Sequence, residues 1–289
     1  MNIPSNFARG ATLLALAGTL AWFAGCRDVV PSASGPREAT SAAAAARGPG
    51  YLTPEERPDS VALLPPPPAP GSPEFAADEA VYRKLNALQD TMRWQLAASD
   101  ANLKFPVAAN AFSCAVGIEV TAATTPQLYE LLQRVVVDAG QSTYKAKEKY
   151  NRERPFEITG DPICVPADEQ LLRGNASYPS GHASLGYVWG EVFAELLPER
   201  AAAARARAYE FGESRVVCRV HHQSDVDAGR TVGQAVFERL HQDPEFVADM
   251  AAAKVEAKRA RKHGPPAGRD CPAETAALQA TDPAQQQRQ

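Results

Sequence analysis

The chain has 289 residues, with 34 acidic and 30 basic side chains and a formal net charge of −4. That length suits one or two average domains, and the slight acidity excludes nucleic-acid binding through bulk positive charge, so any basic patch must be local. From the N-terminus, Arg9 precedes an apolar run from Ala11 to Gly25. Such a run matches the hydrophobic part of an export signal and falls short of the roughly 20 apolar residues that span a bilayer.

The run closes on Phe23-Ala24-Gly25-Cys26, which resembles a bacterial lipoprotein box with Phe23 in place of the usual aliphatic residue. Residues 1–26 are therefore expected to be a signal peptide of lipoprotein type with Cys26 as the lipidated residue; ordinary cleavage and an uncleaved anchor are the alternatives. Residues 27–73 are rich in Ala, Ser, Pro and Gly, including Pro65 to Pro68. Composition of that kind buries too little surface to order itself, so a disordered linker is expected. A flexible tether of that length spans roughly 35–40 Å.

Helical periodicity comes next. Val81, Leu85, Leu88, Met92 and Leu96 recur at steps of three and four; Leu128, Leu131, Leu132, Val135 and Val136 do the same, and Leu185, Val188, Trp189, Val192, Phe193 and Leu196 most clearly. Thr125-Pro126 predicts a helix start, with a capping hydroxyl ahead of a proline at the first position. Sustained alternation is missing, so the expected fold is all-α, a single compact helical domain over residues 74–262. A low-complexity C-terminal tail over 263–289 closes the chain.

Three blocks within that domain carry chemistry. Lys147 and Arg154-Pro155 form the first; seven residues apart, the two cations are expected on one helix face before Pro155 stops the helix. The second is Pro179-Ser180-Gly181-His182, ahead of a helix beginning near Ala183. A helix start offers unpaired N–H groups to phosphate oxygens, Gly181 permits close backbone approach, and His182 stands where a proton donor could reach a leaving-group oxygen. Ser214-Arg215, His221 and Asp225 form the third. Asp225, four residues after His221, can fix the tautomer of the ring and leave its other nitrogen free to attack phosphorus, while Arg215 clamps equatorial oxygens. A rival metal site from His221, His222, Asp225 and Asp227 fits no standard zinc spacing. His222 and Asp227 are read as structural, and His241 and His263 are given no role.

In order and spacing the blocks resemble the type 2 phosphatidic-acid phosphatase superfamily, which shares its fold with the haloperoxidases, and most closely the bacterial class A non-specific acid phosphatases. The likeness extends from about Ser60 to Phe246, including Ala98 to Asn102 and Ser214 to Gly233. It implies a metal-independent, cofactor-free phosphomonoesterase. Lys147, Arg154, Ser180, Gly181 and Arg215 would bind the substrate phosphate; His221 would attack to give a phosphohistidine, with His182 as acid and then base and Asp225 behind His221. It also implies small phosphomonoesters as substrates, no nucleic-acid partner, a mildly acidic optimum, and a periplasmic or outer-membrane-anchored place in a Gram-negative cell. The connection from Phe156 to Tyr178 is expected to overhang the pocket and bear on the leaving group.

There are five cysteines. With Cys26 lipidated, Cys114, Cys164, Cys218 and Cys271 make an even set with three pairings open; Cys164 with Cys218 and Cys114 with Cys271 are preferred, the latter pinning the tail. Two other functions share part of this pattern. A vanadium-dependent haloperoxidase shares the blocks but is longer and would oxidise halide with vanadate and peroxide. A non-catalytic phosphate-binding surface lipoprotein would have no use for a nucleophile.

Overall fold

The computed structural model describes residues 49–279, and among them there is no strand. The first helices are α1 (Ser60–Leu63), α2 (Pro73–Leu85), α3 (Met92–Asp100) and α4 (Ser113–Val116). Next come α5 (Pro126–Gln141), α6 (Tyr144–Tyr150), α7 (Pro155–Thr159) and α8 (Glu169–Arg173). The chain continues through α9 (Gly181–Leu196), α10 (Ala201–Val217), α11 (Gln223–Leu240), α12 (Pro244–Ala260) and α13 (Cys271–Gln279). The all-α expectation holds.

Helix α9 is the centre of the packing, against α10, α11 and α5, and α12 packs on α5 and also touches α9. Its apolar positions Leu185, Val188, Trp189, Val192, Phe193 and Leu196 are all buried, as the i, i+3, i+4 pattern requires. Trp189 satisfies its indole N–H on the Leu132 carbonyl of α5 at 3.1 Å. Small residues set the spacing of the three central helices. A Cβ at Gly190 would stand 2.4 Å from the Ala208 Cβ of α10, and one at Gly229 of α11 only 2.3 Å from the Ser180 carbonyl oxygen. The second contact brings α11 close to the start of α9, where the site lies, while the first sets the approach of α10 further along α9.

Several local expectations change. The periodic stretch from Val81 to Leu96 is two helices, because α2 ends at Leu85 and α3 begins at Met92, which is exposed. Helix α5 does start at Pro126, but the Thr125 hydroxyl donates to the Thr121 carbonyl at 3.0 Å instead of capping. The Leu128 N–H, one of the orphan donors of that helix start, is met by Glu256 at 3.0 Å from α12.

The described part of the expected linker is packed, not disordered. Tyr51 and Leu52 are buried, and their N–H groups both donate to the buried Asp138 carboxylate at 2.8 and 3.1 Å. Further along, Ser60 accepts from the Ala146 N–H at 3.1 Å and the Pro65 carbonyl accepts from Tyr178 Oη at 2.9 Å. The Asp138 and Tyr178 side chains and the Ala146 backbone thus supply partners that this Pro-rich segment cannot supply itself. The tail is likewise structured as far as α13, which a Cys114–Cys271 disulfide ties to α4 and Glu274 ties to Arg207 at 3.3 Å. A second disulfide joins Cys164 to Cys218. The expected signal segment 1–26 with Cys26, the linker up to residue 48 and the tail beyond 279 lie outside the described residues.

Candidate active site

The three blocks converge on one cavity of about 320 Å³, lined by Lys147, Arg154, Gly181, His182, Arg215 and His221 together with the aliphatic side chains of Leu103, Val136, Val137, Leu171, Leu172 and Leu185.

Lys147 and Arg154 reach it by a route that helical spacing does not anticipate. Helix α6 ends at Tyr150, and Asn151 turns left-handed at φ 42°, a conformation Asn tolerates. Residues 152–154 then run on to the start of α7, so Pro155 begins a helix instead of stopping one. The two cations therefore approach from different elements. Lys147 Nζ donates to the Ala176 and Ser177 carbonyls at 2.5 and 3.3 Å. Arg154 is held by four carbonyls: Leu172 at 3.1 Å, Asn175 at 2.8 Å, Val220 at 2.6 Å and Ala176 at 3.3 Å.

Arg215, near the end of α10, is buried, and its Nε has no hydrogen-bond partner. An unpaired buried guanidinium nitrogen is costly, and an oxyanion in the cavity would satisfy this cation. Burial lowers Arg215 to about 10, with the Arg154 charge adding to the effect, and burial alone dominates in lowering Arg154 to about 10. Lys147 is driven well down by burial and by Arg154. Each of these cations is less comfortable here than in water, and an oxyanion in the cavity would reverse that.

The start of α9 is built as its residues suggest. Ser180 caps it, its Oγ accepting from the Ala183 N–H at 3.3 Å, and its own N–H donates to the Asp225 carbonyl at 2.9 Å. His182 stacks near Phe211, with ring centroids 6.0 Å apart, and its Nε2 lies 3.2 Å from the Ala101 carbonyl. A carbonyl can only accept, so Nε2 carries the hydrogen and Nδ1 is left for other work. Asp100, next to Ala101, is anchored by Arg207 and by the Ser214 hydroxyl at 2.6 Å. The segment Ala98 to Asn102 thus supports the histidine through its backbone.

His221 is buried between two groups of opposite kind. Its Nδ1 faces Asp225 Oδ2 at 3.4 Å, while its Nε2 faces Arg154 Nη1 at 3.3 Å. The carboxylate can only accept and the guanidinium can only donate, so both neighbours select the tautomer with hydrogen on Nδ1 and a lone pair on Nε2. Burial and the Arg154 charge keep the ring neutral, pushing its pKa well down; burial and Arg215 do the same to His182. Asp225 stays ionised: burial would raise it, but the His221 hydrogen bond and the Arg152 charge outweigh that and hold it far below the usual carboxylate range.

Three residues outside the predicted set join this arrangement. Ser177 donates to Asp225 Oδ2, and Arg152 donates to Asp225 Oδ1 at 2.6 Å and to Asp78 at 2.8 Å. Arg152 was legible only as one of several charges around Lys147, and nothing near Asp78 or Ser177 marks them. The connection from Phe156 to Tyr178 supplies the Leu171 and Leu172 side chains to the cavity and carbonyls to Lys147 and Arg154. Asp227 instead pairs with Arg230 at 2.7 Å, and His222 Nε2 turns to the Glu153 carbonyl at 3.3 Å. Among the described residues no cluster of three His, Cys, Asp or Glu could hold a metal.

A family model described as the PAP2 superfamily matches residues 128–245, which include all three blocks. The chain is 43% identical over 213 residues to a non-specific acid phosphatase of Providencia stuartii, covering 73% of this chain and 86% of that protein. It is 40% identical over 207 residues to a non-specific acid phosphatase of Salmonella typhimurium, covering 71% and 83%. An acid phosphatase of Zymomonas mobilis is 37% identical over 203 residues, covering 70% and 77%. With its blocks gathered on one cavity and its likeness running through most of the helical body, the chain belongs to the bacterial class A non-specific acid phosphatases of the PAP2 superfamily, a family of hydrolases.

Proposed function

We propose that the protein hydrolyses small phosphomonoesters through a phosphohistidine on His221. The observation that carries this reading is the tautomer selection at that ring: Asp225 behind Nδ1 and a cation beside Nε2 place the hydrogen on Nδ1 and leave the lone pair on Nε2, in a ring that lines a cationic cavity. Lys147, Arg154 and Arg215, with the Ser180 hydroxyl and the Gly181 N–H, hold the phosphoryl oxygens. His221 Nε2 forms the N–P bond as the P–O bond to the leaving alkoxide breaks. His182, with Nε2–H fixed on Ala101, gives that alkoxide a proton from Nδ1. It then takes a proton from water as the water attacks phosphorus, which breaks the N–P bond and releases inorganic phosphate.

His182 must start protonated, yet burial and Arg215 lower its pKa in the free protein. The bound phosphate supplies the negative charge that restores it. Turnover accordingly falls as pH rises through the pKa of His182 in the complex, and the optimum is mildly acidic. Disulfides Cys114–Cys271 and Cys164–Cys218 fit an oxidising compartment, which supports export to the periplasm, with lipid attachment at Cys26 part of the same proposal.

The test is hydrolysis of a chromogenic phosphomonoester near pH 5–6 with chelator present, comparing the wild type with His221→Ala, alongside quenching of labelled substrate in alkaline denaturant. Chelator-resistant turnover abolished in the variant, with an acid-labile, base-stable phosphoenzyme in the wild type, is expected. Equal turnover in both proteins would overturn the assignment of His221.

A further inference from the structure

The His221–Asp225 pair does not end at Asp225. Asp225 is fully buried, and each of its oxygens has its own partners. Oδ2 faces His221 and accepts from the Ser177 hydroxyl and from the His222 N–H at 2.8 Å. On the other side, Oδ1 accepts from Arg152 Nη1 at 2.6 Å. Arg152 also donates to Ser224 Oγ at 2.7 Å, and through Nη2 to Asp78 of α2 at 2.8 Å. Asp78 in turn accepts from the Ser224 N–H at 2.9 Å and from its hydroxyl at 2.5 Å, fastening α2 to the first turn of α11. Both Asp78 and Arg152 are nearly inaccessible to solvent, and Arg152 is absent from the residues lining the cavity.

We infer that Arg152, braced by Asp78, is a positioning residue for the nucleophile: it fixes the Asp225 carboxylate so that Oδ2 stays on His221 Nδ1. A carboxylate gripped at one oxygen by a guanidinium cannot rotate freely, and the charge-assisted bond keeps it ionised in a dry site. Without Arg152, Oδ1 is a buried, unpaired acceptor; the carboxylate turns toward other donors and the hold on the His221 tautomer loosens. Because Arg152 does not touch the cavity, its loss reduces turnover and leaves phosphate binding intact. Asp78 extends the arrangement to α2, which lies outside all three sequence blocks.

A positioning role for Arg152 rests on the phosphohistidine reading, so wild-type turnover and its loss in His221→Ala are established first; a failure there refutes the nucleophile and is distinct from a failure of the positioning role. Arg152→Met, Arg152→Lys, Asp78→Asn, Asp225→Asn and the double variant Arg152→Met/Asp225→Asn are then compared by kcat, KM and the inhibition constant of inorganic phosphate. For Arg152→Met, kcat falls about 10²-fold, the size of effect a misplaced reacting group produces, while KM and the phosphate constant stay within about threefold. Arg152→Lys recovers part of the loss, and Asp78→Asn shows a smaller fall with the same split. The double variant is no worse than Asp225→Asn, since Arg152 acts through Asp225. A phosphate constant that weakens in step with kcat/KM would make Arg152 a direct phosphate ligand and overturn the inference. So would losses that multiply in the double variant, or an unchanged kcat. If Arg152→Met does not fold, as judged by circular dichroism, Arg152→Lys and Asp78→Asn decide by the same criteria.

Discussion

Gly229→Ala is a one-carbon change that reaches the site through backbone alone. The new Cβ would lie 2.3 Å from the Ser180 carbonyl oxygen and 2.9 Å from the Ala183 Cβ. Ordinary carbon–oxygen contacts begin near about 3.3 Å, so backbone must move by roughly 1 Å. Neither side can yield cheaply: Ser180 is tied to the Asp225 carbonyl by its N–H, and Gly229 sits one turn after Asp225 on α11. Overpacking of this kind costs about 1–3 kcal/mol, which in a domain of this size lowers Tm by about 2–12 °C. Displacement of a reacting group by about 1 Å costs about 10²-fold in rate. Gly233→Ala is the control, since its Cβ would meet the Ser184 carbonyl oxygen at 2.5 Å, one turn further from the site. Thermal melts and kcat/KM per folded molecule should show comparable destabilisation of both variants, with a large rate loss for Gly229→Ala only. Equal rate losses, or a Gly229→Ala enzyme within about threefold of wild type, would refute the view that this close approach sets the anion cradle.

Other outcomes derive from burial and charge. His182 and His221 both titrate below the ordinary histidine value because burial and neighbouring arginines disfavour the imidazolium. The unfolded chain therefore takes up protons that the native site refuses: stability is full above about pH 6.5 and is lost as pH falls below it, by up to about 1.4 kcal/mol per pH unit for each histidine. Sulfate, a dianion throughout this range, should raise Tm more at pH 5.5 than at pH 7.5; an equal shift at both would count against these two sites. Replacing Cys114 and Cys271 by Ala opens a link across 157 residues, with an expected loss of about 2–5 kcal/mol in chemical denaturation. A denaturation midpoint unchanged from wild type would show that the Arg207–Glu274 pair holds α13 alone.

The helical character and the gathering of three blocks on one cavity were legible because both are written in side chains: apolar spacing in α9, and basic and histidine residues in three ordered blocks. The route of the chain between Lys147 and Arg154 was not. Seven-residue spacing is two helical turns only if nothing intervenes, and the left-handed turn at Asn151 intervenes. Thr125 likewise has the residue type of a cap, but its hydroxyl finds a nearer partner in Thr121. Asp78, Arg152 and Ser177 could not be read as a set, because their meaning lies in contacts made across 48 to 146 residues of chain. The segment from residue 49 to 72 looked unable to order itself, and by itself it is; its partners are Asp138, Ala146 and Tyr178.

The stretch from Leu172 to Ser177 engages Lys147 and Arg154 entirely through its carbonyls. Leu172 and Asn175, together with neighbouring Leu171, also line the cavity. The clamp on the cations and part of the cavity lining are thus drawn from the same few residues. For enzyme engineering this separates two kinds of change. Libraries at positions 171, 172 and 175 alter that lining while every clamping carbonyl is retained, whereas shortening the stretch by a single residue would remove a clamping group and misalign the rest.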